Sequence, residues 1–376
     1  MFIGRQIFIK AQTTTFVFIQ NVQLTDHEKY MHRCLELAEK GSGYVAPNPM
    51  VGAILVHDGK IIGEGYHQQY GQAHAEVNCI NSVDKGNKHR IKNSILYVSL
   101  EPCAHFGKTP PCTDLIIANQ IPDVVIGCRD PFKEVDGKGI ENLKTAGVNV
   151  VYGILEKECQ QLNKRFFTYH TQHRPYIILK WAETGDRKIA GNGTGRLYIS
   201  NEQTNRLVHK WRSEEASILV GTNTALLDDP ELTTRNWKGP SPIRLVVDMD
   251  LKLPFSLKIF NAEQKTIVFN TIKHEENPNL NFYQVTEDVS LVHQIVNALY
   301  QLKIQSLIVE GGAKLLQSFI EEGMWDEARV IKNDKLIIQH GLAAPELPVR
   351  DAKQDIKILN DSINTYFKDA NTFRVK

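Results

Sequence analysis

The sequence predicts an α/β protein made of two consecutive domains. Three observations predict it. The chain has 376 residues, which suits two domains of ordinary size. Segments with strand periodicity alternate with segments of helical periodicity, and this alternation restarts after a helix and connector at residues 156–174. Hydrophobic residues make up 42% and charged residues 23% of the chain, which excludes collagen, coiled-coil and disordered classes.

We set residues 1–24 aside as an N-terminal extension. The stretch is apolar and β-rich, but Arg5 and Lys10 interrupt it, so it lacks the run of about 18 apolar residues that spans a bilayer. No small-residue cleavage site follows a compact apolar core, which argues against a signal peptide. We expect either a start codon assigned too far upstream or a disordered extension.

The first domain is predicted over residues 25–170. Its first helix begins with a capping box, in which Thr25 and Glu28 satisfy backbone amides of the first turn, and it ends near Gly41. Asp58-Gly59 between two apolar segments predicts a β-hairpin. Periodicity places strands at 51–56, 61–66, 95–99, 124–127 and 148–152, and helices at 75–82, 113–119 and 140–146. This alternation predicts a three-layer α/β domain.

The second domain is predicted over residues 175–376. Strands are expected at 176–180, 218–220, 243–247, 266–269 and 307–309, and helices at 201–211, 292–301 and 313–320. The sequence thus predicts a second α/β domain with its own core strands.

Charge and cysteine usage exclude several classes of protein. Forty-four Lys+Arg against 43 Asp+Glu leave a net charge of +1, so no basic face for nucleic acid and no polybasic membrane attachment is predicted. Six cysteines are too few for a disulfide scaffold. Free thiols in a reducing cytoplasm, or metal ligands, are the better interpretations.

Two fragments predict a zinc site: His74-Ala75-Glu76, and the stretch from Glu101-Pro102-Cys103 to Cys112. One imidazole and two thiolates leave the fourth position of Zn²⁺ open for water, as in catalytic sites. Glu76 would then shuttle the proton of that water. This His-x-Glu … Pro-Cys … Cys pattern is typical of zinc-dependent deaminases. The alternative is a core histidine and two buried cysteines.

The spacing of the two cysteines departs from that of nucleic-acid deaminases. Those enzymes commonly have two residues between the cysteines, whereas eight intervene here, Ala104 to Pro111. The longer loop carries Lys108 and Thr109, which suit a lid or a phosphate contact; a solvated lysine in a turn is the alternative.

Two further motifs of the first half, Pro47–Gly52 and Gly63–His67, accompany the zinc pattern. With them, the chain from about residue 26 resembles the bifunctional deaminase–reductase family of riboflavin biosynthesis. The resemblance implies a cytidine-deaminase-like domain that hydrolytically deaminates 2,5-diamino-6-(5-phosphoribosylamino)pyrimidin-4(3H)-one. It also implies that Asn48 and His67 line the substrate pocket; the alternatives are a turn-forming asparagine and a strand-end histidine.

The second half lacks the Gly-x-Gly-x-x-Gly fingerprint of a Rossmann domain. Gly191–Gly195 is rich in glycine, but it opens no apolar helix and is interpreted as a flexible loop. Val309–Leu315 follows a strand and starts a helix, so its free amides suit a phosphate, although an ordinary tight turn remains the alternative.

The segment Gly221–Arg235 resembles the reductase half of the same family. The resemblance implies a dihydrofolate-reductase-like α/β fold, NADPH as cofactor, and reduction of the ribosyl group of the deaminated product. The implied NADPH contacts are Ala182, Tyr198, Thr224, Asp228, Gly312, Ala313, Lys314, Leu315, Leu316, Gln317 and Ser318. The implied phosphosugar contacts are Arg196, Arg212, Leu232, Arg235 and Glu310.

Two of these arginines make physical sense as phosphate ligands. The guanidinium groups of Arg212 and Arg235 match a phosphate monoester; solvated surface arginines are the alternative. Hydride transfer needs no metal, and no proton donor is identified from the sequence.

The sequence therefore predicts a cytoplasmic enzyme, expected to be a homo-oligomer, that acts on one small phosphoribosyl pyrimidine in two steps. Zn²⁺-dependent deamination precedes NADPH-dependent reduction, and neither nucleic acid nor membrane is a partner. Two alternatives stay open: a base or tRNA deaminase with an unrelated C-terminal domain, and a non-catalytic zinc-stabilised binding module.

Overall fold

Two β-sheets carry the fold of the chain. The computed structural model describes residues 25–104, 106, 110–132, 135–192, 197–349, 352 and 354–368. Within them lie a five-stranded sheet, a nine-stranded sheet and a two-stranded ribbon. The predicted extension at residues 1–24, the loop residues Lys108 and Thr109, and Arg196 with residues 193–195 lie outside the described residues.

The first sheet is mixed, with strand order β2-β1-β3-β4-β5. Strand β1 is antiparallel to β2 and β3, whereas β3, β4 and β5 are parallel. The elements of this half are α1 (Asp26–Glu39), β1 (Gly52–His57), β2 (Lys60–Tyr66), α2 (Ala75–Asn81), β3 (Ile95–Leu100), α3 (Cys112–Ala118), β4 (Asp123–Cys128), α4 (Lys138–Thr145) and β5 (Asn149–Tyr152).

The local signals at the start of the chain are confirmed. Helix α1 has the capping box: the Glu28 amide donates to Thr25 Oγ1 at 3.3 Å, and the Thr25 amide donates to Glu28 Oε2 at 2.7 Å. The turn between β1 and β2 has φ of 47° at Asp58 and 71° at Gly59. Two consecutive left-handed residues are the geometry that an Asp-Gly hairpin turn requires.

Helices cover both faces of the first sheet, so the three-layer prediction is confirmed. One core contains residues of α2, α3 and α4, among them Cys79, Ile116 and Leu143. The other contains residues of α1 and of the helices after β5, among them Met31 and Phe167.

The connector after β5 forms two helices where the sequence predicts one, α5 (Glu156–Leu162) and α6 (Lys164–Gln172). The break is at Asn163, whose side chain accepts from the Met50 amide and donates to the Met50 carbonyl, both at 2.8 Å. These two hydrogen bonds connect the break between the helices to the loop before β1.

The second sheet has strand order β11-β10-β9-β8-β12-β6-β13-β16-β15. Its strands are parallel from β11 to β13, and β16 and β15 continue it in antiparallel pairing. Strands β7 and β14 form the separate ribbon. The elements of this half are β6 (Tyr176–Thr184), β7 (Lys188–Gly191), α7 (Glu202–Glu214), β8 (Ser217–Val220), α8 (Thr222–Asp228), β9 (Ile243–Val247), β10 (Thr266–Asn270), β11 (Leu280–Gln284), α9 (Leu291–Gln301), β12 (Ser306–Val309), α10 (Ala313–Glu321), β13 (Glu327–Asn333), β14 (Gly341–Ala343), β15 (Gln354–Ile358) and β16 (Asp361–Phe367).

Helices also cover both faces of the second sheet. Residues of α9 and α10 pack on one face, among them Ile295 and Phe319, and residues of α7 and α8 pack on the other, among them Val208 and Ala225. Every strand predicted in this half is present. Helix α8 and strands β7, β11 and β13–β16 were not predicted.

The two halves meet along α6 and the loop before β12. Lys164 Nζ on α6 lies 2.6 Å from Glu327 Oε2 on β13, and Arg165 pairs with Glu215 after α7. Gln305 Nε2 donates to the Pro47 carbonyl at 2.8 Å. Among the described residues, no helix is both long and apolar enough to cross a bilayer.

Candidate active sites

The three predicted zinc ligands lie together at one end of the first sheet. His74 precedes the first residue of α2, Cys103 follows β3, and Cys112 is the first residue of α3. His74 Nδ1 lies 3.6 Å from Cys103 Sγ and 3.4 Å from Cys112 Sγ, and all three donor atoms lie within 4.8 Å of one another. Bonds of about 2.0 Å to nitrogen and 2.3 Å to sulfur at tetrahedral angles place such donors about 3.5 Å apart. The donor set therefore fits Zn²⁺ and leaves one position free of protein ligands.

The surroundings favour a thiolate at Cys103. A hydrogen bond from Cys112 lowers the pKa of Cys103 to about 4, burial opposes this, and His74 acts in the same direction as Cys112. The Cys112 amide at the start of α3 also donates to Cys103 Sγ at 3.3 Å. A thiolate is the form of cysteine that binds a metal ion.

Glu76 is buried beside these ligands, with 3% of its surface exposed. Burial raises the pKa of its carboxyl group to about 7, and the negative charge of Cys103 acts in the same direction. A carboxyl group with a pKa near neutrality can both accept and donate a proton.

A cavity of about 460 Å³ opens onto His74, Glu76 and Cys103, and Asn48 and His67 line it as the family resemblance implies. His67 Nδ1 lies 3.0 Å from the Ala73 carbonyl, which can only accept, so Nδ1 carries the proton. His67 Nε2 then accepts from Asn48 Nδ2 at 3.1 Å. The two side chains thus fix each other's orientation at the cavity wall.

The sequence analysis did not predict several of the residues that line the cavity. Asp130 follows β4, and burial raises the pKa of its carboxyl group to about 7. An acidic residue two positions after a buried strand could have indicated it. Phe166 and His170 on α6 also line the cavity, with ring centroids 4.4 Å apart. Nothing in their local sequence indicates that α6 covers this site.

Glu101 of the Glu-Pro-Cys motif has a positioning role. Its carboxylate accepts four backbone amides, from Asp130 at 3.2 Å, Gly137 at 3.0 Å, Gly139 at 2.9 Å and Ile140 at 3.2 Å. Because a buried carboxylate with four amide donors is well satisfied, Glu101 holds the segment after β4 against the cavity.

The predicted NADPH residues gather at the carboxyl ends of three neighbouring parallel strands. Thr224 follows β8, Gly312 follows β12, and Ala182 lies near the end of β6. The Gly221 amide donates to the Gly311 carbonyl at 3.0 Å, and a Cβ atom on Gly312 would lie 3.2 Å from Thr224 Oγ1. Ligands of open α/β sheets bind at this edge, so the geometry agrees with a nucleotide site.

The remaining implied NADPH contacts differ in accessibility. Tyr198 is 75% exposed, and Asp228 ends α8. Ala313, Lys314, Leu315, Leu316, Gln317 and Ser318 form the first turns of α10. Leu316 is fully buried in the core, so only its backbone could face a ligand.

Arg212 and Glu310, both implied at the phosphosugar, form a buried ion pair. Arg212 Nε and Nη2 donate to the Glu310 carboxylate at 2.9 and 2.7 Å, and Lys180 Nζ lies 3.6 Å from it. Burial alone would raise the pKa of Glu310, but the charges of Arg212 and Lys180 lower it to about 2. Arg212 is therefore not a solvated surface arginine. The sequence analysis did not predict Lys180 as part of this charged group, although a lysine inside an apolar strand could have indicated it.

The other implied phosphosugar contacts are dispersed. Leu232 is 2% exposed and belongs to the core, so a contact through its side chain would need a rearrangement. Arg235 is half exposed, with Nη1 3.3 Å from Glu231 Oε2. Lys108 and Arg196 lie outside the described residues.

Two families match the chain. The cytidine and deoxycytidylate deaminase zinc-binding region matches residues 24–128, and the RibD C-terminal domain matches residues 175–337. The riboflavin biosynthesis protein RibD of Aquifex aeolicus is 39% identical over 347 residues, which cover 91% of this chain and 96% of that protein.

Solved structures agree over the same length. The crystal structure of a diaminohydroxyphosphoribosylaminopyrimidine deaminase/5-amino-6-(5-phosphoribosylamino)uracil reductase from Thermotoga maritima has a TM-score of 0.81 and 36% identity, covering 90% of this chain and 98% of that one. RibD from Acinetobacter baumannii has a TM-score of 0.82 and 28% identity, covering 91% and 98%.

Proposed function

This chain belongs to the RibD family of riboflavin biosynthesis proteins, and we propose that its two domains catalyse consecutive steps on one phosphoribosyl pyrimidine. The predicted fold class, a cytidine-deaminase-like α/β domain followed by a dihydrofolate-reductase-like α/β domain, is confirmed. The first step is hydrolytic deamination of 2,5-diamino-6-(5-phosphoribosylamino)pyrimidin-4(3H)-one. The second reduces the ribosyl group to give 5-amino-6-(5-phosphoribitylamino)uracil.

The deaminase step uses His74, Cys103 and Cys112 to hold Zn²⁺. When bound there, Zn²⁺ would supply a water molecule that is nucleophilic at neutral pH. Glu76 takes a proton from the water, passes it to the ring nitrogen and then delivers a proton to the leaving amine, so that ammonia departs and oxygen replaces nitrogen at C2. The burial of Glu76 beside the ligands supports this role.

Residues of the cavity wall position the substrate in this proposal. Asn48 and His67 are held by their mutual hydrogen bond, so Asn48 Oδ1 remains free of that contact and suits a donor group on the pyrimidine. Lys108 is proposed as a further contact on the substrate because it lies in the long loop between Cys103 and Cys112.

The reductase step places NADPH across the strand ends at Ala182, Thr224 and Gly312, with Tyr198, Asp228 and the first turns of α10 as further contacts. When bound, NADPH supplies a hydride to the open-chain aldehyde of the sugar. Glu310, ordered by Arg212, suits a sugar hydroxyl, and the half-exposed Arg235 suits the phosphate. Arg196 and the Leu232 backbone complete the proposed phosphosugar contacts.

The substrate is a small molecule in this proposal, and neither nucleic acid nor membrane takes part. The six cysteines are all free, which suits a reducing cytoplasm. Assembly as a homo-oligomer stays a prediction.

One observation carries the proposal: three donor atoms with zinc geometry next to a buried carboxyl group. Metal analysis and ammonia release from the diaminopyrimidine test it. The wild-type protein should hold one zinc per chain and release ammonia, and Cys112→Ser should lose both while still oxidising NADPH with pre-deaminated substrate. A Cys112→Ser protein that kept its zinc and its ammonia release would refute the assignment.

A further inference from the structure

The cavity that opens onto His74 and Cys103 is not built by the deaminase domain alone. Lys303 and Gln305, from the loop between α9 and β12 of the reductase domain, line the same cavity as His74 and Glu76. Residues of both domains therefore form the wall of this cavity.

The reductase loop is fixed in place. Gln305 is buried and donates to the Pro47 carbonyl at 2.8 Å, next to the cavity residue Asn48. The Lys303 amide donates to the Tyr300 carbonyl at 3.1 Å, and the Ile304 amide donates to the Leu299 carbonyl at 2.9 Å. These two backbone hydrogen bonds and the buried Gln305 fix the backbone of Lys303 at the cavity wall, and the Lys303 side chain itself is exposed.

The charge pattern of the cavity is uneven. Of the described residues that line it, Lys303 is the only lysine or arginine, whereas Glu76, Glu101 and Asp130 supply three carboxyl groups. His170 brings no positive charge at neutral pH, because burial lowers its pKa to about 4. Among the described residues, the wall therefore combines two metal ligands and several acidic groups with one permanent cation, Lys303.

The substrate has the complementary pattern. Its pyrimidine carbon must reach the metal end, and its ribosyl chain then carries a phosphate dianion away from the ring. A cavity of about 460 Å³ is in the range that holds a molecule of nucleoside monophosphate size. An anion in such a cavity needs a cation beside it.

We infer that Lys303 binds the 5′-phosphate of the deaminase substrate, so that the reductase domain completes the pocket of the deaminase domain. This inference rests on the proposed function, because it assigns one end of the same substrate. It makes Lys303 a specificity residue that selects phosphorylated over dephosphorylated pyrimidines.

The test compares two substrates on the full-length protein: the phosphoribosylamino pyrimidine and its dephosphorylated ribosylamino counterpart. Lys303→Met removes the charge with an unbranched side chain, which suits the positive φ of 59° at this position. We expect the KM for ammonia release from the phosphorylated substrate to rise at least tenfold with kcat within twofold. The kinetics on the dephosphorylated substrate should not change, which also reports that the variant is folded.

Two further variants sharpen the result. Lys303→Arg should restore most of the affinity, because a guanidinium also binds phosphate. Lys85→Met removes an exposed lysine elsewhere in the first half and should leave both substrates unaffected.

Each contrary outcome has a distinct meaning. A Lys303→Met KM within twofold of wild type on the phosphorylated substrate overturns the inference alone, and so does an equal loss on both substrates. A wild-type protein that releases no ammonia overturns the proposed function, and this inference with it.

Discussion

The side-chain amide of Gln305 donates a 2.8 Å hydrogen bond to the carbonyl oxygen of Pro47, which joins the two domains beside the deaminase cavity. Pro47 and its neighbour Asn48 from the first domain, and Lys303 and Gln305 from the second, all line this cavity. This contact makes the shape of one active site depend on the docking of the other domain.

Replacing Gln305 with leucine should destabilise the docked arrangement. The Pro47 carbonyl would lose its partner, and an unsatisfied polar group of this kind costs about 1–3 kcal/mol. Urea denaturation would measure the free energy of unfolding. Gln301→Leu, at an exposed position at the end of α9, is the matched control and should change it by less than about 0.5 kcal/mol. Equal effects of the two variants would count against the docking role.

Glu76→Gln should abolish most of the deaminase activity and keep the metal. Glutamine cannot take or deliver the proton, so kcat for ammonia release should fall about 10²- to 10⁴-fold. Zinc content should stay at the wild-type level, because Glu76 lies outside the donor set. Glu39→Gln, an exposed position on α1, serves as the control. Ammonia release by Glu76→Gln at the wild-type rate would show that Glu76 does not carry the proton.

The Arg212–Glu310 pair should make stability depend on acid pH. The folded-state pKa of Glu310 is about 2 against an ordinary value of 4.5, so the unfolded chain binds the proton first. The contribution of the Glu310 carboxylate to the free energy of unfolding is fully present above pH 4.5 and is lost as the pH falls towards 2. A lowering of the pKa from 4.5 to about 2 corresponds to roughly 3 kcal/mol.

The control for this pH dependence is the double variant Arg212→Met/Glu310→Gln, which leaves no unpaired guanidinium beside position 310. Chemical denaturation between pH 6 and 2.5 would compare it with wild type. The wild-type free energy of unfolding should fall more steeply below pH 4.5, whereas parallel curves would show that the pair does not stabilise the fold.

Gly311→Ala should weaken NADPH binding without affecting deamination. Gly311 has φ of 136°, where an L-residue is strained by about 1–3 kcal/mol, and its neighbour Gly312 lies against Thr224 at the proposed nucleotide site. We expect the KM for NADPH to rise about tenfold. Gly86→Ala, with open space around its Cβ position, is the control. An unchanged KM for NADPH would remove this turn from the cofactor site.

Much of the fold followed from local sequence signals. The capping box at Thr25, the Asp58-Gly59 turn and the apolar strands of both sheets depend on short-range pattern, and the structure has them. Strand β13 was missed because Glu327 and Arg329 interrupt its apolar residues; in the fold the two charges pair at 2.6 Å and are buried together. A buried ion pair inside a strand has the sequence pattern of a surface segment.

The functional sites also contain residues that short sequence motifs predict and residues that only the tertiary fold brings together. The zinc ligands were predictable because a helix start and a strand end present them in short motifs, and their donor atoms do converge. Phe166, Lys303 and Gln305 were not predictable, because only the docking of α6 and of the second domain brings them to the cavity. The family resemblance implied Leu232 as a contact of the phosphosugar, but its side chain lies in the core.

The stoichiometry of the two reactions tests the central claim most directly. Wild-type protein would be given the diaminopyrimidine phosphate and excess NADPH, and ammonia and NADPH would be followed in the same sample. The account predicts one ammonia released and one NADPH oxidised per substrate, with ammonia appearing first. NADPH oxidation that precedes ammonia release, or that proceeds without it, would contradict the account.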